Sequence, residues 1–149
     1  MSRARALGSD LKLAAECLRD ARVLLSASSR NAAYLASQAA EHVIRAVATS
    51  EGLHIERRLA HQLDTIVRLV PEDNPDRPAL QRIAFLEAFA TAYRYPTPAG
   101  RLSPAPDAAA IENALQIIEG LLRTLAAHFG VDLAEGTPAL NIAPRRRPA

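Results

Sequence analysis

From Asn31 to Gly52 the chain repeats apolar residues at steps of three and four: Ala32, Leu35, Ala36, Ala39, Val43, Ala46 and Val47. That spacing places all seven on one face of an α-helix. The face is mostly alanine, so a neighbouring helix can come close. Glu41 and Arg45 stand four apart in the favourable order on its flank. Gly52 falls where a left-handed C-terminal cap is expected.

The same periodicity recurs on both sides. Residues 1–8 show none and read as an N-terminal arm, with Ser9 or Asp10 as the cap of a first helix. In that helix Leu11, Ala14, Leu18, Ala21 and Leu25 form a narrow apolar stripe. The polar turn from Ser26 to Arg30 is short, so the second helix runs antiparallel to the first. After a brief linker, Leu59, Leu63, Ile66, Val67 and Val70 mark a third helix that Pro71 stops. A fourth extends from about Pro78 to Arg94. It is apolar nearly all round, which predicts a central helix or an oligomer interface through Phe85 or Phe89. Four prolines and a glycine hold residues 95–106 in a loop. Asp107 caps a fifth helix that ends at Gly130. The expected architecture is all-α: an up-and-down bundle of about five helices over residues 9–130, followed by a flexible basic tail over 131–149.

Composition agrees with one helical domain. The chain has 149 residues, of which 49% are hydrophobic and only 4% aromatic, so much of the core is alanine, the best helix former. Net charge is +2, and taking away Arg145, Arg146 and Arg147 leaves −1. The sequence pI of about 9.1 therefore belongs to the ends, and the bundle lacks the basic body of a protein that coats long nucleic acid. The arginine triplet reads as a solvated tail. Cys17 is the only cysteine, so no disulfide forms within the chain and a reducing compartment follows. Charges at Asp10, Lys12, Glu16 and Arg19 interrupt any signal-peptide core, and the uncharged run from Asn31 to Ala40 is too short to cross a bilayer. The expected location is cytoplasmic, without a membrane partner.

Most enzyme signatures are missing. There is no glycine-rich phosphate loop, no His-Glu-x-x-His and no Gly-x-Ser-x-Gly. His42, His54, His61 and His128 are scattered. Glu41 and His42 are adjacent, which in a helix turns them about 100° apart and gives no chelating pair. No metal site and no cofactor is expected.

Three phrases taken in order, Gln38-Ala-Ala-Glu41 with Arg45-Ala46, His61-x-Leu63, and Tyr93-Arg94-Tyr95-Pro96 before a long loop and a last helix, resemble the HEPN domain over about Leu11 to Phe129. The resemblance implies a small helical bundle that often accompanies a minimal nucleotidyltransferase, as a toxin or as a substrate-holding partner. Some members are metal-independent ribonucleases with an Arg-x(4–6)-His motif in a dimer cleft. Here Arg94 takes the arginine position, but Ala99, Gly100 and Arg101 stand where the histidine belongs, so a general base or acid for attack by a 2′-hydroxyl is missing. A second match, Arg123 to His128, lies at the far end of the last helix.

The resemblance implies a nucleotide- or RNA-binding interaction module working with a nucleotidyltransferase in a toxin–antitoxin-like system, and the apolar fourth helix predicts a homodimer. A ribonuclease toxin and a purely structural dimerisation protein are the alternatives, and no catalytic residue is assigned. Alternating helix directions predict that Arg94, Tyr95, Arg57, Arg58, His61 and Arg101 gather at one end of the bundle as the nucleotide or RNA site, with His128 at the other. Gln38, Glu41 and Arg45 are expected to form a structural polar lattice between helices.

Overall fold

The computed structural model describes residues 2–148. Met1 and Ala149, the outermost residues of the expected arm and tail, lie outside that range. The chain is an all-α bundle, with no strand among the described residues. Its longest helices are α1 (Arg3–Ser26), α2 (Asn31–Ser50) and, after six shorter segments, the last one at Ala108–Phe129. Between them lie a single 3-10 turn (Arg57–Leu59), α3 (Leu63–Leu69), α4 (Arg77–Ile83), a 3-10 turn (Ala84–Leu86), α5 (Glu87–Ala90) and another 3-10 turn (Ala92–Arg94). The last helix is α6.

α2 is the axis of the molecule. It touches α1, α3, α4, α5 and α6. Every residue of its apolar face except half-buried Leu35 is buried, as are Ala33, Ala40, Ile44 and Ala48 from other faces. The central role expected of the fourth helix thus falls to the second. Alanine explains this: without bulk on any side, α2 accepts neighbours all round at close range. It closes at Gly52, whose φ of +74° is the left-handed cap. The amide of Gly52 donates to Thr49 O and that of Leu53 to Ala48 O, which satisfies two terminal carbonyls.

Several boundaries differ from the sequence reading. Residues 3–8 are the first turns of α1, capped by Ser2, whose hydroxyl accepts from the Arg5 amide at 3.1 Å. Ser9 and Asp10 are therefore interior, and Asp10 is buried. Arg3 donates to Thr49 O at 2.8 Å, a cation placed on the negative end of α2. α3 starts at Leu63, after the separate 3-10 turn at Arg57–Leu59. The expected fourth helix is broken at Ala84 and again at Thr91, whose φ of −125° and ψ of −84° leave helical space. α6 keeps both expected ends: the Asp107 carboxylate accepts from the Ala109 amide at 3.0 Å, and Gly130 has φ +64°.

The tail has no regular structure, but it is attached. Ala139 N donates to Ala4 O and Leu140 N to Phe129 O, each at 2.8 Å. Arg145 pairs with Asp76 at 2.7 Å, and Arg146 binds both carboxylate oxygens of Glu51. The arginines expected to be solvated are thus held on acidic groups that the folded chain brings together, a pairing across at least 69 positions that no local pattern announces.

Candidate functional site

Arg94 closes the 3-10 turn Ala92–Arg94 and Tyr95 is extended, at φ −124° and ψ 155°. Pro96 enforces this, because its ring excludes helical geometry for the residue before it. Released from the helix, Arg94 reaches the first turn of α2. Its guanidinium lies 4.4 Å from the centre of the Tyr34 ring and 5.8 Å from that of Tyr95. A guanidinium over an aromatic face is held in place while its edge N–H groups stay available to an acceptor.

The stack borders an open cavity of about 510 Å³ lined by Leu24, Arg30, Asn31, Tyr34, Leu35, Tyr93 and Arg94. No carboxylate lines it. Arg30 also donates to Ser103 O at 2.8 Å, which ties the proline-rich loop to the start of α2. In that loop the Arg101 amide donates to the Thr97 hydroxyl at 3.1 Å, and Gly100 turns at φ +76°. Arg30, Arg94 and Arg101 have no carboxylate partner among the described residues. This end of the bundle therefore carries three uncompensated positive charges beside aromatic rings, a combination suited to phosphate and base together.

Of the six residues expected to gather, Arg94 and Tyr95 lie together, while Arg101 belongs to the loop that follows them, its backbone bonded to Thr97. His61 lies instead beside the middle of α2, with Nδ1 at 3.0 Å from Glu41 Oε1. Tyr34 and Glu41 are two helical turns apart on one face of α2, about 10 Å along its axis at 1.5 Å per residue. Arg57 and Arg58 are exposed in the intervening 3-10 turn, and Arg58 is taken up by Glu56 at 2.6 Å. The reason is the linker after Gly52. It climbs back along α2 instead of staying at the end, so α3 descends and α4 ascends, and Arg94 arrives where α2 begins. His128, at the far end of 22-residue α6, stays well away, bonding Ala143 O at 2.8 Å.

Further along the same face, Glu41 and Arg45 form the expected pair, at 3.8 Å. Gln38 is half-buried between Tyr34 and Glu41 and adds no hydrogen bond among the described residues. The lattice is completed by groups the sequence reading missed. Buried Asp10 lies 2.9 Å from His42 Nδ1 and 3.9 Å from Arg45. Glu41 and His42, adjacent in sequence, thus serve different partners. Both carboxylates are below 10% exposed and both are matched by donors, as buried charges require. Among the described residues no three His, Cys, Asp or Glu side chains are placed to hold a metal ion. Burial, then Asp20, Glu16 and Glu41, push the Cys17 thiol above its ordinary value, so it is a poor nucleophile at neutral pH.

An all-α bundle with an arginine–tyrosine cleft at one end and a buried carboxylate–histidine lattice below it is the class defined so far. The HEPN domain family matches residues 10–128, and the chain belongs to that family. Membership points to a nucleotide- or RNA-related function, in a family whose domains commonly dimerise. No curated protein and no solved structure matches the chain. No helix of the described residues is long and apolar enough to cross a membrane.

Proposed function

We propose that the protein is a nucleotide- or RNA-binding interaction module that works with a nucleotidyltransferase partner in a toxin–antitoxin-like system in the cytoplasm. The observation that carries the reading is the Arg94–Tyr34 stack on a cavity free of carboxylates. Arg94 and Arg30 bind phosphate, Tyr34, Tyr93 and Tyr95 offer ring faces and hydroxyls to a base or ribose, and Arg101 adds charge from the loop. The open, concave site favours an unpaired nucleotide over a duplex, whose stacked bases cannot reach the rings. The polar lattice of Glu41, Arg45, Asp10 and His42 supports the cleft by fixing α1 against α2.

Titration of a fluorescent single-stranded RNA by anisotropy tests this. Wild-type protein binds, and Arg94→Ala binds at least about tenfold more weakly, the equivalent of one lost charge-assisted contact. Equal affinity of the two proteins refutes the site. Co-expression with the neighbouring nucleotidyltransferase, if one is encoded beside it, tests the partner.

The second reading, a metal-independent ribonuclease, gains support from one contact: Glu41 orients His61 as a carboxylate orients a catalytic imidazole. It ranks second because about 10 Å of α2 axis separates His61 from the Arg94 stack, more than one phosphate spans. A purely structural dimer, the third reading, leaves the cleft without a role. The dimer itself fits Phe85, which is 47% exposed while stacked edge-on against Phe89.

A further inference from the structure

At the end of the bundle opposite Arg94, the tail crosses the turn between α3 and α4. Arg145 and Arg146 are seated on Asp76 and Glu51, and the Arg147 amide donates to Asp73 O at 3.1 Å. These contacts fix the backbone at Arg147. Arg147 borders a cavity of about 250 Å³ together with Glu72, Arg77, Pro78 and Gln81.

Arg77 lines this cavity. Its Nε–H is buried and has no acceptor. A buried donor on a charged group without a protein partner is costly. Neither Arg77 nor Arg147 has a carboxylate partner among the described residues. Glu72 is the one carboxylate on the rim, so the lining carries two positive charges against one negative. The Gln81 amide adds further donors.

We propose that Arg77 and Arg147 form a binding site for a phosphate group, half of which is assembled by the docked tail. The Arg77 guanidinium and the Gln81 amide come from α4 and the Arg147 guanidinium from the tail, a set of donors that suits a tetrahedral anion with several acceptor oxygens better than a planar carboxylate. The volume admits a phosphate and lies below the roughly 300–1,000 Å³ of sites that enclose a whole drug-sized molecule. The ligand is therefore inorganic phosphate or the terminal phosphate of a nucleotide or RNA strand whose remainder stays outside. The site is independent of the Arg94 cleft.

The test follows the backbone amide resonances of residues 72–81 in the full chain by NMR during titration with inorganic phosphate, with AMP and with a 5′-phosphorylated single-stranded RNA. A saturable shift is expected. It is lost in Arg77→Gln, weakened about tenfold in Arg147→Ala, and retained in Arg94→Ala. Arg147 is exposed, so its removal leaves the fold intact should Arg77→Gln not fold. Equal response to phosphate and AMP identifies the phosphate alone as the ligand; response to RNA only identifies a strand end. No shift with any of the three, or unchanged affinity in Arg147→Ala, overturns the proposal.

Discussion

His61 Nδ1 sits 3.0 Å from Glu41 Oε1, at the middle of α2 and on the face whose upper end Arg94 covers. The contact records the turn-back of the linker after Gly52 and sets the direction of α3 and α4. Glu41 is buried and answers both His61 and Arg45. Glu41→Gln keeps the shape and removes the charge, so His61 and Arg45 are left to share one neutral amide oxygen in place of a carboxylate. A loss of about 1–3 kcal/mol in urea denaturation is expected. Unchanged stability would show that the lattice contributes nothing to the fold.

The contact of α1 with α6 should depend on pH. Arg22 donates to Glu119 at 2.7 Å, and this bond and the arginine's charge hold the Glu119 carboxyl below its ordinary 4.5. A lowered folded-state pKa stabilises above the unfolded value and is lost as pH falls through the folded one. Glu119→Gln should therefore melt below wild type at pH 7, with the two melting temperatures converging as the pH drops under 4.5. A gap that persists in acid would mean that packing, not charge, is responsible.

Gly8 is where the tail passes closest to α1. A Cβ there would lie 2.0 Å from Thr137 O, a backbone atom that cannot step aside cheaply. Gly8→Ala should destabilise by about 1–3 kcal/mol, the usual cost of overpacking. It should also make the Arg145–Arg147 segment more sensitive to trypsin. Wild-type protection of the tail in this variant would contradict its course over α1.

The dimer proposed through Phe85 is checked by sedimentation. Wild type should sediment as a dimer, and Phe85→Glu as a folded monomer. A wild-type monomer at high protein concentration removes the interface.

The long helices were legible because they follow from local rules: three-four spacing pointed to α1, α2 and α6, Gly52 marked the end of α2, and Asp107 and Gly130 marked both ends of α6. Family resemblance was legible from short phrases that recur in order. What stayed hidden depends on distant partners. Asp10 looked like a cap because nothing nearby shows that His42 meets it, and Arg145 and Arg146 looked solvated because Asp76 and Glu51 lie far off in sequence. Tyr34 and Arg30 were missed for the same reason. Tyr34 was an aromatic residue on an alanine-rich helix, unusual in a chain so poor in aromatics, and that was the signal available. The linker of residues 53–62 decided the rest, since helix directions cannot be counted by alternation once a loop travels along a helix.

The central claim is that Arg94 and Arg30 meet phosphates at the start of α2. The salt dependence of single-stranded RNA binding tests it most directly. The slope of log K against log salt should shrink by about 0.7 for each phosphate contact removed, so the double variant Arg30→Ala, Arg94→Ala should bind more weakly and with a slope flatter by about 1.4. A double variant that keeps both the affinity and the slope of wild type would contradict the account.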